Sequence, residues 1–508
     1  MSTRVPRRRR SGPLGRSLAA ALVLVAALPA AASAHGLAPV YRSPLPLVVY
    51  LAGAAVTVAL SFAFVLARDL RSIPAAEGRV VHVPLAVRLL LRGIGLLAWA
   101  WIMVQGLLGG SSDAAVAGLF LWVYGWVGVA LISALVFPIW EWLDPFATLY
   151  DILAWPLRRL GVRGWQPAVL PPVVRHWPAA AGLAFFVWLE LVLVPGTREL
   201  AVVLAGYTAL TLVLMAQFGR DRWRAEGETF SVWFRTLNRL APLGIARRGS
   251  ASVAWDAARG ATEIDPALVI RRPFASGLLY SPWTSGLVVL VAFGAASIIF
   301  DGLSQTVAFS SILGAPPAGP KTLLLGAWLA AVALAALWVA RSVSPGAIGA
   351  SLLPVAVGYL VAHYLTFLLI DGQRILVAIS DPLQDGTDLF GTASFEPAGG
   401  WLPAGLVWAV QVAAVVGGHV TGAWAGHVTA QRDMTVQVPN GRNGDPRDLR
   451  HRRIHDAEPL RNRNVRAREI PLAVVMVLLT TIALWSLGQA IVQEPAEGAA
   501  PVEVARAG

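Results

Sequence analysis

Residues 347–370 read AIGASLLPVAVGYLVAHYLTFLLI, and in these 24 positions His363 is the one side chain able to carry charge near neutral pH. A helix of about 20 apolar residues crosses the ~30 Å hydrocarbon core of a bilayer, so this stretch predicts a membrane span with a titratable group inside it. Working outward, further stretches meet the same test: Pro46–Ala67, Leu85–Leu108, Ala114–Pro138, Pro178–Pro195, Leu200–Phe218, Ser285–Phe300, Thr322–Ala340, Pro403–Thr429 and Ile470–Ile491. The expected fold is all-α, a polytopic bundle of about ten transmembrane helices, because lipid leaves no other way to satisfy a spanning backbone short of a closed barrel. Composition agrees. The 508 residues are 56% hydrophobic and 14% charged, and 20 tryptophans supply the side chain that favours the lipid–water boundary.

Residues 1–34 carry an arginine-rich start, an apolar run from Ser17 to Leu28 and the small residues Ala32-Ser33-Ala34, the pattern of a cleaved signal peptide that leaves His35 first. Arg4, Arg7, Arg8, Arg9, Arg10 and Arg16 leave with it and take half of the formal +12 charge. The remaining excess is topological, and no nucleic-acid partner is expected. With the mature N-terminus outside, only Arg42, Arg198, Lys321, Arg374 and Arg506 of the Lys and Arg residues fall outside, against thirty inside. That asymmetry predicts a bacterial-type cytoplasmic membrane protein with both mature termini outside and lipid as its immediate partner. The outer segments carry acids instead, among them Asp301, Asp371, Asp381, Asp385, Asp388 and Glu396. Cysteine is absent, which excludes disulfides and thiolate chemistry.

The organisation read from the chain is a signal peptide over 1–34, a nine-span bundle over 35–430, a basic cytoplasmic loop over 431–469, and a tenth span with an outer tail over 470–508. The loop is rich in Arg, Asn and Asp, so it is expected to stay disordered or to rest on anionic lipid. Two other cytoplasmic segments predict helices lying at the interface. One follows Trp140-Glu141-Trp142-Leu143-Asp144-Pro145 as far as Trp155, and the other places Phe230, Trp233, Leu237 and Leu240 on one face.

Ionisable side chains inside spans cost roughly 2.5–3.5 kcal/mol each on insertion scales, so they are functional candidates by default. Here they are Glu190, His363 and His419, with Gln105 and Gln411 as uncharged companions and His427 nearer the cytoplasmic edge. A buried, hydrogen-bonded structural role is the bland alternative for the histidines. At 1.5 Å per residue His363 and His419 differ in depth by roughly 15 Å, too far to share one metal. Gly418, Gly422 and Gly426 recur every fourth residue and predict close helix packing. Residues 314–322, GAPPAGPKT, imitate a phosphate-binding loop, but their prolines remove backbone donors, and nucleotide binding is rejected. His35, with an α-amine beside its imidazole, would offer a chelate suited to copper. The outer connection from Asp371 to Gly400 mixes acids with a short apolar run and predicts a lid that brings Asp371, Gln373, Asp381 and Asp388 towards His363 and Asp301.

Several of these stretches together resemble a group of multi-pass bacterial, actinobacterial-type membrane proteins labelled fenitrothion hydrolase. They are Ala34-His35-Gly36-Leu37, Phe300-Asp301-Gly302-Leu303, His363-Tyr364-Leu365 through Asp371-Gly372-Gln373, Ser380-Asp381-Pro382-Leu383, Asp388-Leu389-Phe390-Gly391-Thr392, and Gly418-His419-Val420 with His427. This chain departs from the group at Asp144-Pro145-Phe146, where the pattern resembles Asn-Pro-Trp. The resemblance implies hydrolysis of a lipophilic organophosphorus triester at an outer site. Such a reaction needs a metal-bound hydroxide or a general base. A divalent metal, copper or zinc, would draw on His35, His363, Asp301 and Asp371, with Asp381 or Asp388 as base or lid. Two other classes stay open: a transporter or metal-handling permease using Glu190, His363 and His419, and a structural subunit that assembles with a partner membrane subunit.

Overall fold

The computed structural model describes residues 79–112, 114–160, 168–247, 264–314, 316–436 and 454–487. The expected signal peptide, His35, the expected span Pro46–Ala67 and the C-terminal tail lie outside these residues. In chain order the elements are β1 (Arg79–His82), α1 (Leu85–Leu108), α2 (Val116–Leu135), α3 (Trp140–Leu143), α4 (Pro145–Arg159), α5 (Trp177–Trp188, continued by a π-helical turn Leu189–Leu193), α6 (Thr197–Phe218), α7 (Arg220–Glu226), α8 (Thr229–Leu237), β2 (Leu243–Arg247) and β3 (Ile264–Arg271). There follow α9 (Ser276–Tyr280), α10 (Ser285–Ser304), α11 (Val307–Leu313), α12 (Ala318–Ser342), α13 (Pro345–Asp371), α14 (Ile375–Ser380), α15 (Ala404–Val436) and α16 (Ile454–Leu487). Among the described residues nine helices are long and apolar enough to cross a membrane, and each coincides with a span expected from hydropathy. The fold is an all-α multi-pass membrane bundle.

Local chemistry sets several boundaries. Thr284 caps α10 through its hydroxyl to Leu287 N at 3.2 Å, and Ser344 caps α13 at Ala347 N, 2.9 Å, with Pro345 in the first turn. At the centre α13 and α15 run antiparallel. A Cβ at Gly418 would lie 2.5 Å from the Pro354 carbonyl oxygen, while Gly422 and Gly426 meet Ser351. The Ser351 hydroxyl donates to Gly422 O at 3.0 Å, and Gln411 to Ala362 O at 2.8 Å. The missing side chains thus let backbone approach backbone.

Four features differ from expectation. A three-stranded antiparallel sheet, order β1-β3-β2, pairs Arg79 and Leu243 with Arg271 from either side. β1 precedes α1 whereas β2 and β3 lie between α8 and α9, so no local pattern announces the pairing of β1 with β3. Helix α8 is not a surface-lying helix. Val232, Trp233, Phe234 and Leu237 are buried, and Trp233 stacks on Trp126 with ring centroids 5.7 Å apart while filling the space beside Gly294. Its neighbour α4 does keep an exposed apolar side at Ile152, Leu153 and Trp155, but Trp142 and Asp144 just before it are buried. Finally, the loop expected to be disordered over 431–469 is shortened by helix at both ends, since α15 runs to Val436 and α16 begins at Ile454.

The sheet lies at one end of the bundle with α3, α4, α7 and α8; it is termed the sheet end. The opposite end holds α11, α14 and residues 381–403.

Candidate functional site

At the opposite end, the C-terminal part of α10 presents Asp301 to α13. Asp301 Oδ2 accepts from the Tyr364 hydroxyl at 2.8 Å and lies 3.0 Å from His363 Nε2, while Gln305 Nε2 donates to Oδ1 at 2.7 Å. The two rings on α13 meet edge to face at 4.5 Å. With Nε2–H given to Asp301, His363 Nδ1 keeps its lone pair, the tautomer in which an imidazole can accept a proton. Asp301 and His363 side chains are 12% and 14% exposed. Neither is sealed off.

Two further charges lie within electrostatic reach of Asp301: Glu190 from the π-helical turn of α5 and Lys321 from the first turn of α12. The π turn closes through Val194 N to Leu189 O at 2.8 Å, and Val194 then adopts φ +44°. A β-branched residue in that left-handed region costs of order 1–3 kcal/mol, strain of a kind that clusters at functional sites. On the remaining side, the α-carbon of Gly302 lies between Ser486 of α16 and the His363 ring. Asp301 and His363 from two spans thus touch, and one carboxyl and one ammonium from two further spans lie within electrostatic reach of them. The set is electrically neutral when one mobile proton is shared among the acids and the imidazole, and that is what the arrangement can do chemically.

The other candidates are placed elsewhere. Asp371 lies eight residues beyond His363 on α13, about 12 Å along the axis, and meets Arg374 at 3.4 Å. Asp381 accepts Asp385 N and Gly386 N, both at 3.0 Å, and so closes its own turn. Asp388 accepts the Ser380 hydroxyl at 2.5 Å and Ala393 N at 3.1 Å; the Ser380 bond holds its carboxyl below the usual range, which makes it a poor base. Gln373 staples the loop through Leu369 O and Ala398 O, each at 2.9 Å. The segment 381–384 packs instead on α1, where Pro382 O accepts from Trp101 at 2.9 Å and Gln105 at 3.2 Å. The expected lid carboxylates are therefore engaged in shaping their own loop. Among the described residues no three His, Asp or Glu side chains come close enough to hold a metal ion. Asp301 and His363 supply two donors, His35 is outside the described residues, and the expected four-ligand set is not assembled by the rest.

His419 and His427 face α16. His419 bonds Val415 O at 2.7 Å and Thr480, and His427 bonds Glu469 at 2.7 Å and Gln431 at 3.0 Å. Neither pairs with Glu190.

A second charged cluster, unanticipated, sits at the sheet end. Arg235 grips Glu141 through Nε and Nη2 at 2.5 and 2.9 Å, and Arg224 reaches Glu141 at 3.3 Å and Asp144 at 2.7 Å. Asp144 also caps α4 at Ala147 N, 3.0 Å. Burial by itself would raise the Glu141 carboxyl, but Arg235 and Arg224 bring it down to about 2. Burial likewise opposes the charge on Arg224, and Glu141 with Asp144 hold it above its ordinary range. Glu141 and Asp144 stand out in the sequence as acids among tryptophans; Arg224 and Arg235, 80 and 94 residues from the acids they bond, carry no local sign of pairing with them. Comparison with family models, curated proteins and solved structures finds no match.

Proposed function

We propose that this chain is a proton-translocating membrane protein, the permease-type reading, in which the proton resides on the Asp301–His363 cluster with Glu190 and Lys321 as its electrostatic surroundings. One observation carries this: two spans bring Asp301 and His363 together at 3.0 Å inside the bundle, and Glu190 and Lys321 from two further spans lie within electrostatic reach, with the acids outnumbering the fixed cation by one. Ionisable groups are costly in a bilayer and mark ion or proton paths. In the proposed topology the site opens towards the outside of a bacterial cytoplasmic membrane. The test is proton uptake into proteoliposomes under an imposed potassium diffusion potential, read with an entrapped pH dye. Uptake above that of protein-free vesicles, lost in Asp301→Asn, is expected. Uptake equal to empty vesicles overturns the reading.

A second reading is favoured by the orientation of His363, whose Nε2 is held by Asp301 at 3.0 Å. An imidazole so fixed can take a proton from water at Nδ1, the general-base alternative for the reaction that the resemblance to fenitrothion hydrolases implies. A lipophilic phosphotriester would then reach it from the bilayer. Release of the phenol from an aryl phosphotriester by purified protein, abolished in His363→Ala, is the expected sign. No release drops this reading.

A further inference from the structure

A second carboxyl–imidazole pair lies inside the bundle, towards the sheet end. His427 of α15 and Glu469 of α16 are each 2% exposed, and His427 Nδ1 lies 2.7 Å from Glu469 Oε2. Arg432, further along α15, bonds the Leu279 carbonyl of α9, the helix that follows β3, which fixes the end of the bundle that the pair approaches. On α16, Arg466 and Arg468 stand just before Glu469 and an apolar run follows it to Ser486, so the carboxyl sits where the span meets the aqueous boundary. The pair repeats, on two helices that pack against α13, the 3.0 Å contact that Asp301 makes with His363.

Glu469 differs from the carboxylates that hold the fold. Glu141 has guanidinium donors on both oxygens, and Glu228 receives Phe230 N and Ser231 N on separate oxygens. In Glu469 only Oε2 is met. Its Oε1 is buried and has no hydrogen-bond partner among the described residues. A bare carboxylate oxygen so placed has lost its water without gaining a donor, and a proton on it removes that penalty. The other side of the imidazole is adaptable too. The Gln431 amide lies 3.0 Å from His427 Nε2, and by turning half over it presents an N–H to a bare nitrogen or a C=O to a protonated one. Both protonation states of the pair therefore find partners without backbone movement.

We propose that Glu469, held by His427, takes up and releases the translocated proton at the sheet end, so that the bundle carries one proton-holding pair towards each end. This rests on the proton-translocation reading and adds the group at its inner side. On release the O–H bond at Glu469 Oε1 breaks as one forms on a water molecule, which leaves as hydronium, while Oε2 keeps the bond from His427 Nδ1–H. Uptake reverses the step. The charged neighbours on α15 are Arg432 and Asp433, and Asp433 accepts the Ser344 hydroxyl at 2.8 Å. Helix α12, packed on α16, brings the exposed Arg341 near its end, and α10 and α13 carry no charged residue over their sheet-end halves.

The experiment is the proteoliposome assay, with uptake recorded over a range of pH, on Glu469→Gln, Gln431→Glu and Asp301→Asn. Glu469→Gln keeps the size of the side chain and an oxygen for His427 Nδ1–H, and removes the oxygen that takes the proton. Uptake is expected to fall roughly a hundredfold in it, the scale of a lost proton-transfer group, and an infrared band of a protonated carboxyl is expected to be missing. In Gln431→Glu a second carboxylate beside the imidazole holds protons on the cluster more tightly, and the pH profile of uptake is expected to move to higher pH. A mere clasp between α15 and α16 would lower the melting temperature in both variants and leave the profile where it was. An unmoved profile in Gln431→Glu overturns the inner site even if Glu469→Gln fails to fold, and so does wild-type uptake in Glu469→Gln. With Asp301→Asn still blocked, either result leaves the Asp301 site standing. Wild-type uptake in Asp301→Asn overturns the earlier reading itself.

Discussion

The Glu141–Arg224–Asp144–Arg235 lattice and the Asp301–His363–Tyr364 cluster are both ionic, both largely buried, and built for different ends. In the first, every guanidinium is spent on a carboxylate, with three of the contacts at 2.5 to 2.9 Å. In the second, the partners of Asp301 are an imidazole, a phenol and an amide, each of which can give or withhold a hydrogen bond without leaving a fixed charge bare. Two permanent charges lock a fold; a titratable group among neutral donors can change state. The difference shows how one bundle can be rigid at one end and chemically responsive at the other.

The largest expected effect breaks the rigid end. Arg224→Met leaves Glu141 and Asp144 sharing too little positive charge, and removal of one partner from a buried pair costs about 3–5 kcal/mol. Thermal unfolding in detergent should show this; a wild-type melting temperature would erase the contrast between the ends. Acid comes next. The Glu141 carboxyl is lowered from 4.5 to about 2 in the folded protein, so its contribution to stability is fully present above its unfolded pKa and is lost as pH falls from there towards the folded value. Melting temperatures across that window should drop, and in Arg235→Gln the drop should begin from a lower plateau. Glu228 has the opposite sign. Its raised carboxyl favours the folded state below the unfolded pKa and loses that contribution as pH rises through the folded one.

At the responsive end the expected cost in stability is smaller and the cost in function larger. Tyr364→Phe removes a 2.8 Å bond to Asp301, worth about 1.5–3 kcal/mol for a charged acceptor, and should alter the pH profile of proton uptake in proteoliposomes. A loss confined to melting temperature, with an unmoved profile, would make Tyr364 a mere strut. Smallest is Ser344→Ala, which removes the cap of α13 and a 2.8 Å bond to Asp433 at about 1 kcal/mol. It should lower the melting temperature without touching proton uptake.

Hydropathy made the spans legible because lipid imposes the same demand on every one of them, and Leu85–Leu108 is a helix from end to end as expected. His363 stood out for the same reason, as a costly group in apolar surroundings, whereas Asp301 was read as one of the acids of the outer segments. Tyr364 was hidden beside His363, since a phenol in a span is unremarkable until its hydroxyl is seen on a carboxylate. The Arg224 lattice was hidden because ion pairs spanning 80 residues leave no periodic trace. Helix α8 misled through its real amphipathicity: an apolar stripe fits a membrane surface and a bundle core equally well, and only Trp126 and Gly294 decide for the core. The acids of residues 381–388 misled through composition, which cannot tell a carboxylate facing a site from one bonded to its own backbone.

The pairing of β1 with β3 has a bearing on how the protein is made. Between His82 and Ile264 the chain contains four spans, α1, α2, α5 and α6. The two strands can meet only if those spans return the chain to the side it left, which requires an even number of crossings. A single helix that fails to insert leaves the strands in different compartments. At ribosomal speeds of ~5–20 residues per second, β1 waits roughly 10–40 s for its partner to emerge. The small sheet then acts as a parity check on biogenesis, closing only over a first half that has been threaded correctly.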